Sequence, residues 1–217
     1  NTSPEMLDKI RQMIFDGDYE GACALSDISF LTDPPRVRFY QTIGDIYVDF
    51  AAKGEVEDYH KELELSTGVA KASYVRGGVR YESESFISQK YNVLAYRICT
   101  PGGEKFSFDL KYLREDYHKQ DRDQESNDIL DQRLSLYNEG HTIVMDGMAI
   151  DGAHPHYGEG GESTHFGGIV TVKTDGTVSA HDGILTVTDA TEAVVYASFE
   201  TDYDVSIFGF DRGKDYL

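Results

Sequence analysis

Three histidines close together are the residues in this chain most able to do chemistry. The stretch DGAHPHYGEGGESTHF, residues 151–166, holds His154, His156 and His165 beside Tyr157, Glu159 and Glu162. His-x-His on an extended chain puts two imidazoles on one side, and a third ligand would complete a tetrahedral zinc site. Against this, the glycines at 152, 158, 160 and 161 raise the entropy lost in ordering any ligand set. The expected arrangement is a loop at the rim of a β-structure, with no metal ligand set and no cofactor. Loops of this kind often carry ligand contacts, so His154, His156, Tyr157 and His165 are the ligand-facing candidates.

A second stretch, REDYHKQDRDQESNDILDQR over residues 114–133, alternates Asp121, Asp123 and Glu125 in the manner of a calcium loop. It has Ser126 where such a loop needs glycine and Gln132 where it needs a bidentate glutamate. A solvated connection between strands is expected there. Hydrolysis of a glycosidic bond needs two carboxylates about 5–10 Å apart, and among 39 acidic residues no pair is marked by its surroundings. The chain has no Gly-x-Ser-x-Gly elbow, phosphate-binding loop or dinucleotide fingerprint. No catalytic residue is assigned.

The elements that would position these residues are mostly strands. Helical spacing is confined to the start. Ser3 and Pro4 suit a helix N-terminus, and Met6, Leu7, Ile10, Met13 and Ile14 recur at helical intervals. Asp16-Gly17 ends that helix and Asp18 caps a second, so residues 1–28 read as a helical hairpin belonging to the domain that follows. From Gly44 the period becomes two. Gly68 closes one hairpin loop and Gly77-Gly78 another, which sets Tyr74 opposite Tyr81 and Lys71 opposite Glu84. Leu63 and Leu65 face the core side and Glu62 and Glu64 the wet side. Phe106, Phe108, Leu110 and Tyr112 should lie buried along one face. Asp175-Gly176 and Asp182-Gly183 read as hairpin turns. About ten strands with short turns and no intervening helices predict a mainly all-β fold, a large antiparallel β-sandwich over residues 29–217.

Composition bounds the function. A formal charge of −19 repels nucleic acid and anionic lipid, so neither is an expected partner. No run approaches a membrane span, and no signal peptide opens the chain. Cys23 and Cys99 sit in apolar patterns, so buried free thiols are expected, with a single bridge left open.

Several blocks, in order, resemble one family. MIFDGDYEGACAL is similar to the paired helices near the start of family 95 glycoside hydrolases, the α-L-fucosidases. YQTIGDIYVDF resembles their Tyr-Gln-x-x-Gly-Asp-Leu-x-Leu-x-Phe strand. YHKELELSTGVAKASYVRGGVRYESESFIS resembles the block that follows, and DGILTVTDATEAVVYASFETDYD the strand pair that closes the domain. The resemblance implies an N-terminal β-sandwich whose catalytic partner is a C-terminal (α/α)6 helical barrel. The chain is expected to end before that barrel, to be inactive alone and to lie outside the cytoplasm in the parent protein. It would pack on the barrel and could lend a loop to the glycan cleft. No catalytic residue of the family carries over to a position here.

Two other functions compete. A stand-alone carbohydrate-binding module would use exposed aromatic rings, for which Tyr117, Tyr137 and Tyr157 are available, although the chain has no Trp. A metal-dependent enzyme would be built on the His-rich loop.

Overall fold

The computed structural model describes residues 4–30, 41–114, 134–151 and 161–203. The chain divides into two compact units, residues 1–41 with 150–163, and residues 42–149 with 164–217.

In the first unit, helix α1 (Pro4–Phe15) and helix α2 (Tyr19–Ser29) form the expected hairpin. Asp18 caps α2, its carboxylate accepting the Gly21 N–H at 3.0 Å, which satisfies one of the orphan donors of a helix start. Of the apolar stripe on α1, Ile10 is buried; Leu7 and Ile14 remain largely exposed. Ala22 of α2 is buried too.

The rest is a sandwich of two antiparallel sheets. The strands are β1 (Asp45–Phe50), β2 (Val56–Glu64), β3 (Val69–Arg76), β4 (Val79–Ser88), β5 (Val93–Cys99), β6 (Phe106–Leu113), β7 (Leu134–Glu139), β8 (Thr142–Asp151), β9 (Gly161–Thr174), β10 (Thr177–His181), β11 (Ile184–Ala190) and β12 (Glu192–Thr201). A four-stranded sheet runs β1-β6-β11-β10, and an eight-stranded sheet runs β2-β3-β4-β5-β12-β9-β8-β7.

The expected core face of β6 is present: Phe106, Phe108, Leu110 and Tyr112 are all buried, while the residues between them are partly exposed. Leu185 and Val187 of β11 extend that layer. Ile98, Met145, Val170, Val172 and Val195 face it from the larger sheet. Gly77 and Gly78 both have positive φ, 58° and 79°, the geometry of a tight two-residue hairpin. Tyr74 pairs with Tyr81, and their rings stack at 5.2 Å.

Three expectations are corrected. Asp175-Gly176 is not a hairpin turn, because β9 belongs to the large sheet and β10 to the small one. The chain changes sheet there, and it changes back at Thr191. Asp175 ties the two corners together: its carboxylate accepts the N–H groups of Thr191 and Glu192 at 2.9 and 3.0 Å and the Thr191 hydroxyl at 2.6 Å. A Cβ on Gly176 would lie 2.4 Å from the Thr188 carbonyl oxygen, so glycine is required there by close backbone approach.

Second, β2 has no core face. All nine of its residues are exposed, and Leu65 falls in the turn beyond its end. An eight-stranded sheet opposite a four-stranded one overhangs it, and β2 is the outermost strand of the overhang. Third, the thiols are both free, but Cys23 is exposed and Cys99 only half-buried. Cys99 neighbours the buried Ile98, so the pleat sends it to the outer face.

Candidate functional site

Of the ligand-facing candidates, His154, His156 and Tyr157 lie outside the described residues. His165 is on β9 and is tied by its main chain: its N–H donates to the Asp202 carboxylate at 3.0 Å, and its carbonyl accepts the Asp202 N–H at 3.1 Å. Residues 115–133, with Tyr117, also lie outside the described residues. Tyr137 is on β7, 45% exposed. Among the described residues no group of three or more His, Cys, Asp or Glu is placed to hold a metal ion.

Two surfaces remain that could act. One is the outer face of the large sheet. Register lines up Glu62, Lys71, Glu84 and Arg97 in one row across β2 to β5. Lys71 lies 3.8 Å from Glu62 and 3.7 Å from Glu64, and Arg97 lies 3.6 Å from Glu84 and also bonds Glu192. Arg80 pairs with Glu82 at 3.0 Å. The hydrogen bond that Arg97 donates to the Glu192 carboxylate, more than any other influence, raises the guanidinium above its ordinary value. Burial pushes the nearby Cys99 thiol up from its ordinary value, which disfavours a reactive thiolate. The depression in this face is about 210 Å³. Lys71, Arg80 and Arg97 each already have a carboxylate, so this row is a self-satisfied charge ladder, with exposed pairs worth about 0–1 kcal/mol each.

The other surface is a groove of about 810 Å³ beside the edge of the small sheet. Strand β1 forms one wall with Val48, Asp49 and Phe50, and Lys53 follows it. The overhanging large sheet forms the other, with Val56 and Tyr59 of β2 and Tyr74 and Arg76 of β3. A bulge shapes it. Val56 pairs with Arg76 and Glu57 with Val75, but the next pair is His60 with Ser73, so Asp58 and Tyr59 together oppose Tyr74. Asp58 takes φ 48° to make this possible, a left-handed conformation that aspartate adopts more readily than most residues. Bulges of this kind re-aim side chains, and Tyr59 lines the groove while remaining 61% exposed.

The electrostatics of the groove are unlike those of the ladder. Asp49 is paired to Lys111 at 2.6 Å. The Arg76 guanidinium lies 5.6 Å from the centre of the Tyr74 ring, and its Nε is shut off from water without a hydrogen-bond partner. Burial, before any other cause, raises the Tyr74 hydroxyl above its usual value, so that ring stays neutral. Sequence reasoning missed this groove entirely. The Gly77-Gly78 register placed Tyr74 correctly, but no local signal marks a one-residue bulge at Asp58 or an overhanging sheet.

With this geometry in hand, two likenesses to known proteins bear on function. A family profile described as glycosyl hydrolase family 65, N-terminal domain, matches residues 1–206. Alpha-L-fucosidase 2 of Arabidopsis thaliana is 30% identical over 131 residues, which is 59% of this chain and 15% of that protein. The chain therefore spans a small part of the length of the curated relative it matches.

Proposed function

We propose a function from one premise: the chain belongs to the family of glycosyl hydrolase family 65 N-terminal domains. An N-terminal domain of a glycoside hydrolase implies a catalytic partner domain. We read this chain as the non-catalytic sandwich domain of a fucosidase-like hydrolase of the family 95 type. Its partner would be a C-terminal helical barrel that carries the catalytic carboxylates, and the parent protein would work outside the cytoplasm. The observation that carries the reading is the match over residues 1–206, joined to the likeness to an α-L-fucosidase. The profile runs through the helical hairpin and the sandwich alike, which supports treating them as one functional domain. In the intact protein the sandwich would pack on the barrel, and the segment with His154, His156 and Tyr157, next to His165 of β9, would be lent to the glycan cleft.

The test is an α-L-fucosidase assay on the purified 217-residue chain and on the chain extended through the coding region that follows it. The chain alone should release no fucose, and the extended protein should release it. Turnover by the chain alone, abolished by replacing one of its own carboxylates, would overturn the assignment of catalysis to a partner domain. A second reading, a carbohydrate-binding module, is favoured by one observation: Tyr59 and Tyr74 line an open groove.

A further inference from the structure

We infer that the groove between β1 and the β2–β3 overhang binds an acidic sugar residue, its carboxylate meeting Arg76 and its ring lying against Tyr59. Three observations on different elements converge on it.

The first is an unanswered cation. Among the described residues Arg76 makes no hydrogen bond or ion pair through its side chain; its contact is the face of Tyr74, and its Nε is withdrawn from water. A buried donor on a charged group is costly when unmet. On the outer face of the same sheet Lys71, Arg80 and Arg97 all have carboxylates; Lys61 and Lys173, which pair with none among the described residues, are exposed to water rather than shielded from it. The carboxylate within the groove, Asp49, is engaged by Lys111, and Glu57 pairs in register with Val75, on the face of the sheet opposite to Arg76. Lys53, exposed on the same rim, adds a second positive group. The chain as a whole is strongly acidic, but at physiological salt charges beyond about 8 Å are screened, so the groove's own charges decide.

The second observation is the pair of aromatic surfaces. Tyr59 is exposed and Tyr74 is partly covered, and both line the groove. A flat ring with a polar tip is suited to the apolar C–H face and hydroxyl rim of a pyranose. The third is the bulge at Asp58, which brings Tyr59 into line with Tyr74. Bulges recur beside functional sites, where they re-aim a side chain. A guanidinium fork matches a carboxylate in plane and geometry, and stacking rings beside it select a sugar acid over a peptide acid. The inference rests on membership of a glycoside hydrolase family and not on which sugar the parent enzyme releases.

The experiment is a titration of the 217-residue chain followed by amide chemical shifts, with trigalacturonate as the probe. Its methyl ester, which keeps the rings and masks the charge, and a triglutamate peptide serve as comparators. Trigalacturonate should bind saturably, shifting residues of β1, β2 and β3. The methyl ester, and the Arg76→Gln chain, should each bind about tenfold more weakly, the loss of one charge-assisted contact. Arg76→Lys should fall between, because it keeps the charge and loses the fork. Tyr59→Ala, exposed enough to fold normally, should weaken binding roughly fivefold. Arg97→Gln, on the ladder, should bind as the parent chain does. Equal affinity for the methyl ester or for triglutamate, unchanged affinity in Arg76→Gln or in Tyr59→Ala, or no saturation by roughly 10 mM, where ΔG would be weaker than about −3 kcal/mol, would each overturn the inference. None of these arms measures fucose release, so failure here leaves the proposed parent activity standing.

Discussion

Replacing Phe108 by alanine should be among the most damaging single changes in the sandwich. Phe108 is 2% exposed on β6, the strand that joins β1 and β11 within the small sheet. Its ring lies 5.8 Å from Phe50 and 6.0 Å from Phe106, and Phe50 reaches across to Tyr81 of the large sheet at 5.8 Å. Removing the ring forfeits about 1.5–3 kcal/mol of transfer free energy. Neighbours on two sheets cannot close the void, because the small sheet's backbone holds them apart, and the cavity brings the loss to about 3–5 kcal/mol. With a urea dependence of roughly 2–3 kcal/mol per molar, the unfolding midpoint should fall by about 1–2.5 M. The assay is equilibrium urea unfolding followed by tyrosine near-ultraviolet circular dichroism, with Ile87→Ala as the control. Ile87 is 73% exposed on the overhang and should change stability by no more than about 0.5 kcal/mol. A Phe108→Ala loss below about 1 kcal/mol, or a loss matched by Ile87→Ala, would refute the view that the two sheets share one continuous aromatic core.

Two further changes probe the corners where the chain switches sheets. Asp175 has its carboxyl held down to about 2, first by the Thr191 hydroxyl and then by the N–H groups of Glu192 and Thr191. A carboxyl depressed by folding stabilises the native state above its ordinary value near 3.8, and that contribution disappears as pH falls toward about 2. Asp175→Asn should therefore lower the melting temperature at pH 6, and the gap to the parent chain should narrow as pH falls through that window; a gap independent of pH would count against the charged cap. Gly176→Ala should lower the melting temperature at every pH, because its Cβ meets the Thr188 carbonyl at 2.4 Å; an unchanged melting curve would mean that the corner is not packed as described.

What the sequence disclosed, and what it withheld, follow from the range of the forces involved. Alternation on β6 was legible because one face is wholly covered, so every second residue answers to burial. The Gly77-Gly78 turn was legible because positive φ at both positions is a local demand. Asp175-Gly176 carries the same residue types as a hairpin turn, and nothing local tells a hairpin from a change of sheet. The difference lies in Thr191 and Glu192, sixteen and seventeen residues away, which supply the donors Asp175 needs. Cys99 misled for a related reason: apolar neighbours suggest burial, yet the pleat assigns alternate residues to opposite faces.

The candidate groove was illegible for a deeper reason. Its residues are ordinary in sequence: Val48 and Phe50 alternate with acids after Gly44, Tyr74 is one half of a cross-strand pair, and Arg76 precedes the Gly77-Gly78 turn. They become a site only because β2 and β3, at one edge of the large sheet, line a groove together with β1, the edge strand of the small one. An overhang is a mismatch between two sheets, and no single strand encodes it. The ladder on the opposite face makes the contrast. There, cross-strand register alone pairs Lys71 with Glu84 and Glu84 with Arg97, and the result is a surface whose charges are already spent on one another. In the groove the same register leaves Arg76 beside Val56 and Val79, with no acid across from it on either neighbouring strand. An unmatched guanidinium whose Nε is withdrawn from water, set against the paired cations of the ladder, is what separates a surface available to a ligand from one that holds the sheet together.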